Sequence, residues 1–279
     1  AKKERVATIQ VPTAPARPGD KPEFAAWTHQ PGDLSRPAPL TCTAADTTDH
    51  AHGLVRVLDD DAKASGPWNP DLSPDELRTG LEHMVRMRIF DDRMMKMQRT
   101  GKLSFYMRSL GEECVAVAQT MALETQDWIF PTYRQPAAQF VRGRDMVSMI
   151  CHCIGNEKDN ILGRQMPVHY SYRTGRYISV SSPVATQFSQ AVGVAMASQY
   201  KGLDECCITW IGEGASAEGD YHYALNFASV FKPPVILNIV NNQWAISTHA
   251  NLASGSSNFA ARGLSYDVPS IRGDGNDFL

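Results

Sequence analysis

The sequence has little net charge, no long hydrophobic run and no cysteine spacing typical of a zinc site. Its 27 basic and 30 acidic residues give a formal net charge of −3, which argues against nucleic acid or an anionic membrane surface as a partner. Its apolar runs are far shorter than the roughly 20 residues that a membrane span needs. The first residues, AKKERVATIQ, lack both the apolar core of a signal peptide and an initiator Met, which predicts a processed or trimmed N-terminus.

Cysteine occurs six times, in spacings that favour buried thiols over a metal site. One adjacent pair opens a predicted strand, and a second pair flanks His152 in a predicted helix. Neither arrangement has the spacing of structural zinc ligands. We therefore expect all six to be buried and reduced, as in a reducing compartment. They are Cys42, Cys114, Cys151, Cys153, Cys206 and Cys207.

Two regions differ in composition. Residues 1–70 are rich in Pro, Ala, Asp and Thr with little periodicity, which alone would indicate a disordered tail. Residues 71–279 are long enough for one large α/β domain with a sizeable core. The first helix of this domain is predicted to begin after Ser73, which forms a capping box with Glu76, and to end at Gly101. A further strand and helix are predicted in YISVSSPVATQFSQAVGVAMASQY (177–200), which favours a mostly parallel, helix-covered sheet.

A strand, a helix and a second strand are predicted between residues 206 and 240. The runs CCITWI and VILNIV are short, apolar and β-branched, and a helical pattern with early acids lies between them. Strands joined in this way are normally parallel and end at the same edge of the sheet. Glu213 follows the first strand and Asn242 follows the second. We therefore expect these two side chains to meet at the carboxyl edge, where open α/β sheets bind ligands.

The residues at this edge suit a diphosphate bridged by magnesium. Glycines on both sides of Glu213 let a ligand approach the backbone, and the start of the following helix favours an anion. One carboxylate and one amide oxygen form a sparse set, which magnesium completes with phosphate oxygens and water. An ordinary βα loop with an acidic first turn is the alternative, because a lone Gly-Glu-Gly is a weak signal.

Three further groups have both a functional and a structural interpretation. Tyr133 and Arg134 follow a predicted strand end, where Arg134 suits either a diphosphate oxygen or a surface ion pair. The stretch SSPVATQ (181–187) offers clustered oxygens before a helix, or simply a helix cap. His169 lies in a predicted loop, where it is either a pocket residue or, as is more usual for a lone histidine, structural or exposed. The residues alone leave these alternatives open.

The stretch from Gly212 to Asn242 resembles the thiamine-diphosphate motif, Gly-Asp-Gly followed by Asn-Asn, with Glu213 in place of the usual aspartate. Together with SFYMRSLGEE, PTYRQ, GRQMPVHYS, SSPVATQFSQAVGVAMA, NNQWAIST and DGNDF, it is similar to α subunits of the 2-oxo acid dehydrogenase family, most closely the bacterial branched-chain type. The likeness runs from about residue 54 to 279. It implies a three-layer α/β/α thiamine-diphosphate-binding fold with a mostly parallel sheet. It also implies an extended N-terminal arm over residues 1–70, ordered by contact with neighbouring subunits.

The activity implied by the resemblance is oxidative decarboxylation of branched-chain 2-oxo acids, with transfer of the acyl group to a lipoyl domain. Pyruvate or acetoin dehydrogenase α subunits are the alternatives within the enzymes, and a non-catalytic regulatory subunit of the same fold is the alternative outside them. The implied cofactors are thiamine diphosphate and magnesium, with a structural potassium ion. The implied compartment is the bacterial cytoplasm or, in a eukaryote, the mitochondrial matrix.

The resemblance also assigns site residues to this sequence. The implied magnesium ligands are Glu213, Asn242 and the backbone carbonyl of Trp244. The implied potassium ligands are Ser181, the carbonyl of Pro183, Thr186 and Gln187. The implied cofactor-binding residues are Tyr133, Arg134, Ser182, Val184, Gly212, Glu213, Gly214, Ala215, Glu218, Asn242, Trp244, Ala245 and Ile246.

No catalytic residue is implied within this chain. In the family, the carboxylate that acts as general base at the aminopyrimidine comes from a β subunit. The resemblance therefore implies an α2β2 heterotetramer bound to a lipoyl-bearing dihydrolipoyl acyltransferase core. It also predicts a chain cut short at DGNDFL, before a loop that carries an active-site histidine in α subunits. Val240 stands where some relatives have a diphosphate-binding arginine, which leaves more charge compensation to Arg134 and the metal.

Overall fold

The computed structural model describes residues 13–17, 20, 34–38 and 41–279. Its helices are α1 (Thr48–His52), α2 (Pro74–Arg99), α3 (Glu113–Met121), α4 (Ala137–Val141), α5 (Met146–Ile154), α6 (Thr186–Lys201), α7 (Gly219–Phe231), α8 (Ala250–Ala253) and α9 (Ala261–Leu264). Its strands are β1 (Trp128–Phe130), β2 (Cys207–Gly212), β3 (Val235–Val240), β4 (Trp244–Ala245) and β5 (Thr248–His249). Short 3-10 turns occur at Ala45–Thr47, Arg173–Gly175 and Gly214–Ala217.

Part of the predicted arm lies outside the described residues, and its boundary at residue 70 stays a prediction. Its described part contains α1 and is tied to the end of the chain. Asp277 Oδ2 accepts hydrogen bonds from the backbone N–H groups of Val57 at 2.6 Å and Leu58 at 2.8 Å. Asn258 Nδ2 donates to the Ala51 carbonyl at 2.9 Å. These bonds join residues 51–58 to the C-terminal segment of the chain.

Helix α2 begins and ends as the sequence predicts. Ser73 accepts a hydrogen bond from the Glu76 N–H and Glu76 accepts one from the Ser73 N–H, with Pro74 in the first position. The chain leaves the helix before Gly101, whose φ of +73° favours glycine. The helix packs Phe90, which is fully buried, into the main core.

The main sheet has three parallel strands in the order β1-β2-β3. Ile208 of β2 pairs with Ile129 of β1 and with Ile236 of β3. Because successive side chains of a strand point to opposite faces, Ile208 and Trp210 pack with the helices α2 to α5. Ile211 packs on the other face with α6 and α7. The three-layer α/β/α fold with a parallel sheet is therefore confirmed.

The strand predicted in YISV is wrong, because the segment forms only two isolated bridges, both at Tyr177. Tyr177 pairs with Ile129 of β1 in a single parallel bridge, and the Ile178 N–H donates to the Ile129 carbonyl at 2.9 Å. The Val180 N–H then donates to the Tyr170 carbonyl at 3.0 Å. No ladder forms, because the segment turns from the sheet to a neighbouring loop for its next backbone hydrogen bond. The helix predicted after it is α6.

The cysteines are unpaired thiols, as predicted, but two of them are only half-buried. Cys206 lies just before β2 and Cys42 lies near the start of the chain, so neither reaches the core. Burial raises the pKa of Cys114 and Cys207 to about 12, which keeps both thiols protonated at neutral pH. The described part of the chain contains no cluster of three or more His, Cys, Asp or Glu side chains placed to hold a metal. Nor does it contain a helix long and apolar enough to cross a membrane.

Candidate functional site

Glu213 and Asn242 meet at the carboxyl edge of the sheet. Strands β2 and β3 are in register, so that Gly212 pairs with Val240 and the next residues leave the sheet side by side. The backbone N–H of Asn242 donates a hydrogen bond to the Glu213 carboxylate, which lowers the pKa of that carboxyl against the raising effect of burial. The prediction that Glu213 and Asn242 lie close together at this edge is therefore confirmed.

The Glu213 carboxyl is buried and incompletely paired. The residue is 4% exposed. Burial raises its pKa, the nearby charge of Glu112 adds to the rise, and backbone N–H donors and Arg134 oppose it. Its Oε1 atom has no hydrogen-bond partner within the described residues. Because a buried carboxylate oxygen without a partner is costly, this atom fits a bound cation.

A second carboxylate, Glu112, joins the side chains of Asn242 and Arg134. Glu112 Oε1 accepts a hydrogen bond from Asn242 Nδ2 at 2.9 Å and lies 3.7 Å from Arg134 Nε. Burial raises the pKa of the Glu112 carboxyl, whereas the Asn242 bond and the Arg134 charge lower it. Sequence reasoning missed Glu112, because its only signal is its place in SFYMRSLGEE, 130 residues before Asn242.

Arg134 is fixed at this same edge. Its Nη1 atom donates to the Arg108 carbonyl at 2.6 Å, and its guanidinium lies 5.2 Å from the centre of the Tyr133 ring. Arg134 therefore does form an ion pair, as one interpretation expected, but its partner is the buried Glu112 of the candidate site. No hydrogen bond from Arg134 Nη2 is found in the described part of the chain, so this nitrogen is free to donate to a ligand.

The loop that carries the Arg108 carbonyl is anchored from helix α2. Asp91 of α2 is fully buried and accepts hydrogen bonds from Tyr106 OH at 2.6 Å and from the Ser109 N–H at 2.9 Å. Burial raises the pKa of the Asp91 carboxyl, and these bonds oppose the rise. Asp91 thus holds the backbone to which Arg134 is bonded. No motif in the sequence indicates this role for Asp91.

The SSPVATQ loop does not cap helix α6. The N-cap position is Ala185, and no side chain accepts a capping hydrogen bond there. Instead Thr186 Oγ1 lies 2.8 Å from Ser181 Oγ and 3.2 Å from the Pro183 carbonyl. Gln187 Oε1 is buried, with no hydrogen bond among the described residues. Three clustered oxygens are the kind of donors that an alkali cation takes, and Gln187 supplies a further oxygen without a partner.

The β4–β5 hairpin follows the edge directly. The Trp244 N–H donates to Asn242 Oδ1 at 3.0 Å. A Cβ atom at Gly214 would lie 2.5 Å from the Ala245 Cβ, so glycine at 214 permits the close approach of the hairpin to the loop after β2. Ile246 at the hairpin tip is 97% exposed with a φ of +55°, a strained conformation for a β-branched residue.

Other predicted contact residues face solvent in this chain. Val184 is 52% exposed, and Ser182 is exposed beside it. Glu218 is exposed at the N-cap position of α7 and makes no capping hydrogen bond. Gly212 and Ala215, which flank the carboxylate loop, are half-buried. The structure therefore brings Glu213, Asn242 and Arg134 together and leaves Ser182, Val184 and Glu218 exposed.

His169 is buried and bonded to one of the predicted cofactor residues. Its Nδ1 lies 3.1 Å from the Pro167 carbonyl and its Nε2 lies 2.7 Å from Ser182 Oγ. The preceding Val168 has a φ of +63°, which is strained for a buried β-branched residue. His169 is therefore buried at the margin of the candidate site, and whether it also contacts a ligand stays a prediction.

The fold and this edge define the class of protein. Residues 81–279 match the sequence model of the family described as "Dehydrogenase E1 component", and the chain belongs to this family. The resemblance inferred from the motifs is thereby confirmed.

The chain is similar to several curated relatives. It is 49% identical over 272 residues to the 2-oxoisovalerate dehydrogenase subunit alpha of Pseudomonas aeruginosa, which covers 97% of this chain and 66% of the relative. It is 38% identical over 227 residues to the mitochondrial 2-oxoisovalerate dehydrogenase subunit alpha 1 of Arabidopsis thaliana, covering 80% of this chain and 48% of the relative. It is 37% identical over 225 residues to the mitochondrial subunit alpha of Mus musculus, covering 80% of this chain and 51% of the relative. The chain thus spans just under two thirds of the first relative and about half of the others.

Proposed function

We propose that this chain belongs to the α subunit of the decarboxylating component of a branched-chain 2-oxo acid dehydrogenase. Its reaction is the oxidative decarboxylation of branched-chain 2-oxo acids, with transfer of the acyl group to a lipoyl domain. Family membership implies dependence on thiamine diphosphate. The relatives named 2-oxoisovalerate dehydrogenase subunit alpha favour a branched-chain substrate over pyruvate or acetoin.

The observation that carries the proposal is the unpaired Oε1 of buried Glu213 beside Asn242. Glu213 and Asn242 Oδ1, with the Trp244 carbonyl, would hold a magnesium ion that takes phosphate oxygens as further ligands. Asn242 Oδ1 accepts one hydrogen bond from the Trp244 N–H, and its second lone pair is available for a metal.

The other residues of this edge orient a diphosphate. Arg134 donates from Nη2, supported by Tyr133, while the backbone from Gly212 to Ala215 permits close approach of the ligand. Glu218 helps to orient the diphosphate end and the adjoining subunit. When bound, thiamine diphosphate supplies the electron sink for decarboxylation, and the protein supplies binding, orientation and a dry site.

A potassium ion would stabilise the loop before α6. Its proposed ligands are Ser181, the Pro183 carbonyl, Thr186 and Gln187, which fit through their clustered oxygens and the unpaired Gln187 Oε1. The loop then presents Ser182 and Val184 to the cofactor. Ala245 and Ile246 of the hairpin contribute further contacts.

The exposed positions support a site completed by a second subunit. Val184 and Ile246 are apolar and 52% and 97% exposed, so both are available to pack against a cofactor and a partner. The partner is a β subunit, which supplies the general base. The two subunits form an α2β2 heterotetramer that docks on a lipoyl-bearing dihydrolipoyl acyltransferase core. Nucleic acid and membranes are not partners. The compartment is the cytoplasm of a bacterium or the mitochondrial matrix of a eukaryote.

The experiment that tests this function is a substrate panel on the full-length protein co-expressed with its β subunit. Turnover of branched 2-oxo acids, pyruvate and acetoin is followed with dichlorophenolindophenol as electron acceptor. We expect kcat/KM to be at least about tenfold higher for branched 2-oxo acids. A preference for pyruvate or acetoin would reassign the substrate. Absence of both turnover and calorimetric binding of thiamine diphosphate with magnesium would indicate a regulatory subunit.

A further inference from the structure

Glu112 is a buried carboxylate to which the proposed function assigns no task. It is 7% exposed and lies immediately before helix α3. Its Oε1 atom contacts two side chains of the proposed site, Asn242 through Nδ2 at 2.9 Å and Arg134 through Nε at 3.7 Å. One oxygen atom thus holds one proposed metal ligand and one proposed diphosphate ligand at the same time.

The first contact fixes which end of the Asn242 amide faces the metal. A side-chain amide has an oxygen that accepts and a nitrogen that donates, and either end can occupy a site of the same shape. Here Nδ2 donates to a carboxylate oxygen, and Oδ1 accepts from the Trp244 N–H at 3.0 Å. A reversed amide would set oxygen against oxygen at Glu112 and N–H against N–H at Trp244. Only the observed orientation offers an oxygen to a cation.

The second contact limits the freedom of the Arg134 fork. Nε forms an ion pair with Glu112 Oε1 at 3.7 Å, and Nη1 donates a hydrogen bond to the Arg108 carbonyl at 2.6 Å. These two contacts fix the plane of the guanidinium, and Nη2, which has no hydrogen bond in the described part of the chain, keeps both of its N–H groups for a ligand. An arginine held in this way loses less conformational freedom when it binds a phosphate oxygen.

We propose that Glu112 is a positioning residue of the diphosphate–magnesium site, which orients the Asn242 amide and holds Arg134 through a single carboxylate oxygen. The inference rests on the proposed function and deepens it. Glu112 is not itself a metal ligand in this arrangement. What matters is an acceptor at the position of Oε1.

The chain offers a conservative variant and a matched control. Glu112→Gln keeps an oxygen acceptor of the same size, whereas Glu112→Met keeps the length of the side chain and removes the acceptor. The neighbouring Glu113 is also buried, but it pairs with Arg88 Nε at 2.6 Å and with the Gly111 N–H at 2.8 Å. Glu113→Met therefore removes a buried carboxylate next door without touching Asn242 or Arg134.

The test is a manganese titration of the full-length protein with its β subunit and thiamine diphosphate, followed by the loss of the free Mn²⁺ signal in electron paramagnetic resonance. We expect Glu112→Met to weaken Mn²⁺ binding about tenfold, the size expected for a lost hydrogen bond to a charged group. Glu112→Gln should remain within about threefold of wild type, on the same scale. Glu113→Met should lower the melting temperature and leave the Mn²⁺ affinity unchanged.

The outcomes separate this inference from the proposed function. Failure of the wild-type protein to bind Mn²⁺ with thiamine diphosphate would refute the function itself. Wild-type binding with an unchanged Glu112→Met variant would overturn only the role of Glu112. Equal losses of Mn²⁺ affinity in Glu112→Met and Glu113→Met would show a general loss of stability. Equal losses in Glu112→Met and Glu112→Gln would show that the charge matters and the acceptor geometry does not. Either result would also overturn the inference.

Discussion

The two ends of the candidate site differ in how completely this chain builds them. At the diphosphate end, Glu213 and Glu112 are 4% and 7% exposed, and hydrogen bonds or ion pairs link Asn242 and Arg134 to them. At the other end, Val184 and Ile246 are 52% and 97% exposed. The first end is held by side chains from four separate segments of the sequence. The second end consists of two loop tips with no covering element in the described chain.

This difference agrees with the proposal that a second subunit completes the site. A preorganised anion and metal site binds its ligand without much ordering of side chains, so it gains affinity from contacts made within one chain. Exposed apolar tips gain nothing until another surface covers them. We therefore expect the diphosphate end to respond to substitutions inside this chain, and the open end to respond to the presence of the partner.

The largest expected effect is that of removing the β subunit. The general base is assigned to that subunit and the tips that carry Val184 and Ile246 are uncovered without it, so the α subunit alone should bind thiamine diphosphate poorly and decarboxylate nothing. Adding the β subunit should restore both, through an interface that buries well over 2,000 Å² in total. The measurement compares dichlorophenolindophenol reduction by purified α subunit and by the α–β mixture. Substantial turnover by a monodisperse α preparation would show a site complete within one chain.

At the diphosphate end the largest effect is expected from Glu213→Gln. It removes the one carboxylate assigned to the metal, so magnesium-dependent affinity for thiamine diphosphate should fall by well over tenfold, about 1.4 kcal/mol or more. Asn242→Leu, which loses the amide oxygen at similar volume, should behave alike. Isothermal titration calorimetry at several magnesium concentrations measures both. Unchanged affinity in Glu213→Gln would remove Glu213 from the metal site.

Glu213→Gln should not lower the stability of the ligand-free protein, although it lowers the affinity for the cofactor. Burial raises the pKa of the Glu213 carboxyl above its unfolded value, so its contribution to stability is present at low pH and is lost as the pH rises through the folded pKa. At neutral pH the neutral Glu213→Gln side chain should therefore leave the melting temperature unchanged or raise it. Glu157→Gln, at an exposed position, is the control and should change neither affinity nor melting temperature.

A smaller loss is expected from Arg134→Lys. A lysine keeps the charge but cannot at the same time pair with Glu112, donate to the Arg108 carbonyl and donate to a diphosphate oxygen. We expect affinity for thiamine diphosphate to fall about fivefold, roughly 1 kcal/mol. Since Val240 supplies no second charge, the loss should exceed that in relatives with arginine at that position. Equal affinity of variant and wild type, measured by calorimetry, would leave Arg134 with a structural ion pair only.

The same contrast explains which features could be predicted from the sequence. The meeting of Glu213 and Asn242 follows from a local strand–helix–strand pattern, and parallel pairing of β2 and β3 then fixes where their ends lie. Glu112 comes from a distant segment, and its approach to Asn242 depends on the packing of α3 and its preceding loop, which has no periodic signature. The strand predicted in YISV fails for a similar reason. Its apolar pattern is typical of a strand, but the backbone of Val180 bonds to the loop at Tyr170.

The smallest expected effect is the change in stability when glycine replaces a strained residue, one exposed and one buried. Ile246 and Val168 have φ values of +55° and +63°, and a left-handed conformation costs a residue with a side chain roughly 1–2 kcal/mol. Glycine relieves this cost but loses more entropy on folding, roughly 0.5–1 kcal/mol. Ile246 is 97% exposed and packs against little, so Ile246→Gly should stabilise the ligand-free α subunit by about 0.5 kcal/mol, or 1–2 °C in Tm.

Val168→Gly should act in the opposite direction, because Val168 is 1% exposed and the lost packing, roughly 1–3 kcal/mol, outweighs the relieved strain. In the α–β complex, Ile246→Gly should be unfavourable, in contrast to its stabilising effect on the free subunit. If the hairpin tip packs against the cofactor, losing its side chain should weaken thiamine diphosphate binding two- to threefold, a change of about 0.5 kcal/mol. Calorimetric scans measure the melting temperature of the free subunit, and titrations measure the affinity of the complex for thiamine diphosphate. A stabilised free subunit with unchanged cofactor affinity in the complex would show that Ile246 lies outside the cofactor site and that its strain serves another contact.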